Sequence, residues 1–425
     1  MRHLGRLTRL GALLTLPLLC SVAAAQLLPP LPGPVGGVVG EAERVGSALA
    51  DRALGTAASA ARLADERLAR LENVVRAAPD LLEMTAAGPA VRGEIVAADP
   101  SPEALAAALS AGFETAREEE IEGLGLRTVI LRAPRGLSLD RALERLRRLA
   151  PKGEFSANHL HFQSGGVPPG AVAAAALAGG GGAAGGGLTV GIIDGGVAAH
   201  PALPGRAEQK GFAQGAPVAS AHGTAVASLL VGGPPMRSAA PGARLLVADV
   251  YGRDPGGGNA VAIARALGWM AERKVPVVAI SLVGPANPLV GKAVERARAR
   301  GVRIVAAVGN DGPAAPPAYP ASYPGVIAVT GVDGRNRPLP EAGRALRLDY
   351  AGPGADMAAA ALGRRFVRVR GTSYAVPLVA GRLAHAVAGG TSLDAQVQDL
   401  GAKGPDSRFG RGLVCGDCRT PLPRG

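Results

Sequence analysis

Between Leu188 and Val332 lie five short runs, LTVGIID, ARLLVADV, VPVVAISL, VRIVAAV and GVIAVTGV, rich in Val, Ile, Leu and Ala. Apolar runs of this length read as strands buried on both faces. Segments with helical spacing stand between several of them: GTAVASLLVG, NAVAIARALGWMAERK and PLVGKAVERARARG. That alternation restricts the region to an α/β fold, a mostly parallel sheet with helices on both faces.

The chain ahead of this region reads differently. In residues 90–161, VRGEIVAA, ETAREEEI, LRTVILRA and GEFSANHLHF have strand character. SPEALAAALSAGF carries Ser101 as a cap and Pro102 at the first helical position. SLDRALERLRRLA puts Leu139, Ala142, Leu143 and Leu146 on one stripe. The order is β-α-β-β-α-β, a split βαβ (ferredoxin-like) module. His159 and His161 share one face of its last strand, and such a pair reads as structural rather than metal-binding. Residues 162–187 include the Gly/Ala-rich stretch AVAAAALAGGGGAAGGG, a flexible linker between domains. The domain region then spans 188–414, with a tail at 415–425.

The first 25 residues have a basic start, an apolar run from Leu10 to Leu19 and small residues ending at Ala25. That is the layout of an export leader, too short to span a membrane, and it implies a periplasmic or extracellular destination. Residues 26–89 begin Pro/Gly-rich and continue as an Ala- and Arg-rich helical spacer without an assigned role. Beyond the leader, Cys415 and Cys418 are the remaining cysteines, and in an oxidising compartment they read as a local disulfide. A redox motif would open a helix in a βαβ unit, and zinc would need two more ligands than lie nearby. The formal charge of +12 comes mostly from scattered Arg. Without basic blocks interleaved with aromatics, nucleic-acid binding is set aside.

Functional groups in open α/β sheets gather at the carboxyl ends of strands. Asp194 ends VGIID, Asn310 follows VRIVAAVG, His222 opens a helix, and Ser373 begins another after RVRGT. A serine attacking a carbonyl needs a base, a carboxylate to orient that base, and donors for the oxyanion. His222 is the candidate base, Asp194 the orienting carboxylate and Asn310 a side-chain oxyanion donor. The Ser373 N–H, at a helix start, is a second donor.

The blocks VGIIDGGVAAHPAL, HGTAVAS, VVAISLVGP, VAAVGNDG, YPASYPGVIAVTGVD and GTSYAVPLVAG resemble, in order and spacing, the signature blocks of the subtilisin-like serine proteases (subtilases, peptidase S8). The resemblance covers roughly residues 188–390. It implies a subtilisin-like fold with Asp194, His222 and Ser373 as the triad and Asn310 as the oxyanion residue. It also implies that Ser281, Leu282, Val283 and Gly284 line the substrate strand and pocket edge, with Ala306, Ala307 and Val308 opposite. By pattern, 90–161 is similar to the family's inhibitory prodomain, which would make the chain a self-processing precursor cut between about His161 and Gly187.

The sequence departs from the family pattern in places. Gly195 replaces the usual Thr, Ala225 and Ser228 replace His and Gly, and Tyr374, Val376 and Leu378 replace Met, Thr and His. None of these removes a proton-transfer group. The expectation is a secreted, monomeric serine endopeptidase acting on proteins or peptides and held by its own prodomain. Apolar pocket walls imply medium or large hydrophobic residues at the acyl side of the cut bond, with Asp311 at the rim admitting basic ones. No cofactor is called for, and the absence of a dense Asp/Asn loop leaves calcium unsupported. Two other classes fit the same fold: an inactive binding or surface protein, and a serine esterase.

Overall fold

The computed structural model describes residues 59–164, 187–203 and 207–421, so the leader and most of the linker lie outside the described residues. Strands β7 (Thr189–Asp194), β8 (Ala207–Gly211), β9 (Arg244–Asp249), β10 (Val277–Ile280), β12 (Arg303–Ala307), β13 (Ile327–Val332) and β14 (Tyr350–Pro353) form one sheet. Its order is β14-β13-β12-β10-β7-β9-β8, parallel throughout.

Helices α5 (Ala260–Glu272) and α6 (Pro288–Ala299) cover one face, and α4 (Ala221–Val231) and α7 (Ala375–Ala388) the other. The strand period of two divides each apolar run between these layers. Ile193, Leu246, Val278 and Ile304 enter the α5/α6 core, while Ile192, Val247, Val277 and Val305 enter the α4/α7 core. Both faces are buried, which explains why the sequence shows continuous apolar runs. The five strands read from the sequence are all present. β8, β14 and β15 (Met357–Ala360), which forms a hairpin with β16 (Phe366–Val369), were not anticipated, being short or, in β8, only half-buried.

The upstream module is a five-stranded antiparallel sheet. Strands β2 (Gly88–Ala98), β3 (Glu114–Ile121), β4 (Leu126–Arg132) and β5 (Phe155–His159) run in the spatial order β5-β2-β4-β3. Helices α2 (Pro102–Ser110) and α3 (Leu139–Leu149) cover one face. Ser101 Oγ accepts the Ala104 N–H at 3.2 Å, and the α3 stripe of Leu139, Ala142, Leu143 and Leu146 is buried. The module begins earlier than residue 90: β1 (Leu82–Thr85) pairs with the start of β2. Before it, residues 59–77 form a helix, α1.

The module's other face is not wet. Val96, Ala98, Ile121, Leu124, Leu126 and Ile130 belong to one core with α5 and α6. The rim of this contact is charged: Arg265 Nε donates to Glu119 at 2.9 Å, Lys292 reaches Glu154 at 3.3 Å, and Arg296 pairs with Asp99. A helix as apolar all round as α5 needs cover on its outer side. Here the module supplies it.

Candidate active site

The order of the parallel sheet reverses between β7 and β10, and the crevice at their carboxyl ends collects all four candidate residues. Asp194 ends β7. His222 is the second residue of α4, which is capped by Ser220 accepting the Gly223 N–H at 2.9 Å. Gly223 is needed for close approach: a Cβ there would stand 2.3 Å from the Gly195 carbonyl oxygen. With hydrogen alone, the helix start settles on the end of β7. His222 Nδ1 then faces Asp194 Oδ1 at 3.0 Å and Oδ2 at 2.9 Å. Asp194 is fully buried, and Gly195 N–H also donates to its Oδ1 at 2.7 Å.

Ser373 sits in a short 3-10 turn, Thr372–Tyr374, that leads into α7. Its carbonyl accepts from Ser281 Oγ at 2.9 Å, tying the turn to the end of β10. Asn310 lies beyond β12 with its orientation set by one bond: Oδ1 accepts the Thr372 N–H at 2.9 Å. That leaves Nδ2 buried without a hydrogen-bond partner among the described residues. A buried, unpaired N–H donor is costly, and its retention points to an acceptor that comes and goes. The Tyr374 ring lies 5.4 Å from the His222 ring, and burial raises its phenol to about 12.

The Ser373 hydroxyl makes no hydrogen bond to His222. It donates to the Ser164 carbonyl oxygen at 2.6 Å, and His222 Nε2 has no partner among the described residues. The chain leaving β5 runs straight through the crevice. There β6 (Phe162–Gln163) pairs antiparallel with β11 (Leu282–Val283), Gln163 opposite Leu282 and Phe162 opposite Val283. Ser164 N–H donates to the Ser281 carbonyl at 3.1 Å. His161 lies against Gly284, and its carbonyl accepts from Tyr251 Oη at 2.9 Å. Burial lowers the His161 imidazole to about 3 and that of His159 to about 4.

Beside Ser164 a cavity of about 420 Å³ extends under α1, bordered by Val283, Gly284, Val308, Asn310 and Asp311. The expected wall residues therefore separate. Val283, Gly284 and Val308 line the cavity; Leu282, Ala306 and Ala307 do not. Ala306 and Ala307 are successive strand residues pointing into opposite cores, and the Leu282 side chain packs against α5 and α6. Asp311 is at the rim, and two α1 side chains hold it: Arg67 Nε at 3.2 Å and Arg70. Leu63 of the same helical face rests on Gly312, and Leu71 is buried. Cys415 and Cys418 are bonded to each other near the start of the tail, away from this crevice.

Sequence reasoning missed Gln163, Ser164 and the arginine pair of α1. The polar Gln-Ser step closing an apolar strand before two glycines was the available signal for the first two. Nothing in the spacing of Arg67 and Arg70 marks them out from other helical arginines.

Residues 185–400 match the profile of the family described as the subtilase family, Peptidase_S8. Subtilisin BL of Lederbergia lenta is 33% identical over 205 residues, which cover 46% of this chain and 74% of that protein. The major intracellular serine protease of Bacillus subtilis is 34% identical over 174 residues, 38% of this chain and 54% of that protein. Among solved structures, fervidolysin of Fervidobacterium pennivorans, described as a keratinolytic enzyme related to subtilisin, superposes with a TM-score of 0.59 at 19% identity. That match covers 80% of this chain and 63% of fervidolysin, more of this chain than residues 188–425 alone supply. It is a likeness of fold.

Proposed function

Since the chain belongs to the subtilase family of serine proteases, we propose that it is a secreted endopeptidase made as a self-processing precursor, and that it cuts itself between Ser164 and Gly165. One observation carries this reading: the Ser373 hydroxyl lies 2.6 Å from the Ser164 carbonyl oxygen, on a strand paired as a substrate would be. A carbonyl bond is about 1.2 Å long, so the electrophilic carbon lies no more than about 3.8 Å from Oγ.

In this reading the Ser373 hydroxyl turns from the Ser164 oxygen to His222 Nε2 before attack. The Ser373 proton passes to His222 Nε2 as Oγ adds to the Ser164 carbonyl carbon. Asp194, bonded to Nδ1, holds the tautomer and balances the imidazolium. The oxyanion is received by Asn310 Nδ2 and the Ser373 N–H. His222 then gives its proton to the Gly165 nitrogen, which leaves, and water repeats the sequence on the acyl-enzyme. Residues 59–164 remain as inhibitor, held by the core shared with α5 and α6, by β6 in the cleft, and by α1 on Asp311. The cavity beside the small Ser164 side chain supports acceptance of larger apolar side chains in other substrates. Export rests on the N-terminal leader.

Intact-mass analysis of the exported protein, with and without a fluorophosphonate, tests the proposal beside Ser373→Ala. A fragment beginning at Gly165 that takes one adduct, both absent in the variant, is the expected result. A Ser373→Ala precursor that matures to the same fragment would remove self-processing, and an unlabelled full-length protein would remove catalysis.

A further inference from the structure

The strand in the cleft makes one side-chain contact that the attack on Ser164 does not use. Gln163 turns its amide inward, and Nε2 donates to Asp194 Oδ1 at 3.0 Å. Besides His222, it is the one side chain among the described residues that bonds this fully buried carboxylate.

Residue 195 is what lets the amide in. A Cβ on Gly195 would stand 2.4 Å from Ser220 Oγ and 3.3 Å from Gln163 Nε2. A side chain there would compete for the space through which the amide reaches Asp194. Ser220, the other neighbour, is drawn to the helix start, where it accepts the Gly223 N–H at 2.9 Å.

We propose that Gly195 gives this enzyme an amide-reading subsite. The residue immediately before the acyl residue of the cut bond is selected for a neutral side-chain N–H donor of glutamine length, and Asp194 is its acceptor. The inference rests on the reading of residues 160–164 as a bound substrate strand. An apolar side chain in this place dries the carboxylate without replacing the donor it loses. A carboxylate there is repelled by Asp194. The amide also spreads the negative charge of Asp194, which weakens its hold on the His222 imidazolium.

The test uses the protein after it has processed itself and peptides Leu-His-Phe-X-Ser-Gly-Gly-Val, with X as Gln, Met, Glu or Lys. A hydrogen bond to a charged group implies that kcat/KM for Gln exceeds that for the near-isosteric Met by about tenfold or more, with Glu below Met. In Gly195→Ser the Gln-to-Met ratio falls to about two or less. Because that variant also crowds Ser220, the ratio in the unaltered protein decides alone if the variant does not fold. Equal cutting of Gln and Met peptides overturns the subsite while leaving the strand reading intact, and preference for Lys over Gln overturns the neutral-amide assignment. If no peptide is cut and no fragment beginning at Gly165 forms, the strand reading has failed and the subsite falls with it.

Discussion

If residues 59–164 act as the proposed inhibitor, removing the arginine pair of α1 should loosen it by a modest, salt-sensitive amount. Arg67 and Asp311 are each 24% exposed at the side chain and Arg70 is 41% exposed, so the carboxylate is screened but not free in water. Ion pairs at such exposure contribute about 0.2–1 kcal/mol each. Two cations on one carboxylate do not add fully, which puts Arg67→Ala with Arg70→Ala at about 1 kcal/mol in total. That is about a fivefold rise in the inhibition constant of the cleaved 59–164 segment. The contacts of Leu63 and Leu71 persist in the variant and keep α1 seated. The assay is the recovery of peptidase activity on dilution of the processed complex, at low salt and at about 0.5 M salt, where the Debye length falls to roughly 4 Å. The arginine effect should shrink severalfold at high salt, and Asp311→Asn should abolish it. Equal arginine effects with and without Asp311, or no salt dependence, would refute the clamp.

Asn310→Ala should lower kcat by roughly 10²–10³ with little change in KM, since Nδ2 has its work only in the transition state; an effect confined to KM would count against that role. Ile130→Ala, at a site 1% exposed in the core shared with α5 and α6, should cost about 2–5 kcal/mol of docking or folding and delay the fragment beginning at Gly165. Inhibition by the segment should weaken as pH falls. His159 and His161 are held by burial at about 4 and about 3, below the ordinary 6.5. The undocked segment then binds more protons, so docking is strongest above about 6.5 and is lost as pH falls toward 4. Inhibition constants measured from pH 7.5 to 4.5 check the sign, and tighter inhibition in acid would reverse it.

The strands and the four polar residues of the crevice could be read from the chain because each is announced locally. Asp194 ends an apolar run, His222 and Ser373 open helices, and Asn310 follows a strand between glycines. The module's elements were likewise visible in Ser101 and Pro102 and in the α3 stripe. Its first hairpin was not, because β1 is four residues long and lacks a clean alternation. Ala306 and Ala307 were expected at the pocket wall. A linear reading sees them next to Asn310 but cannot see that one points into the α5/α6 core and the other into the α4/α7 core.

By itself, then, the sequence determined the layer architecture and the order of the chemical groups, since both follow from apolar period, capping residues and family blocks within short windows. Tertiary structure alone decided what fills the crevice. The contacts of Ser373 with Ser164, Asp194 with Gln163 and Asp311 with Arg70 span 209, 31 and 241 residues of chain. No local rule couples residues so far apart. They meet because the module shares a hydrophobic core with α5 and α6, and that packing aims β6 along β11 and lays α1 over the cavity.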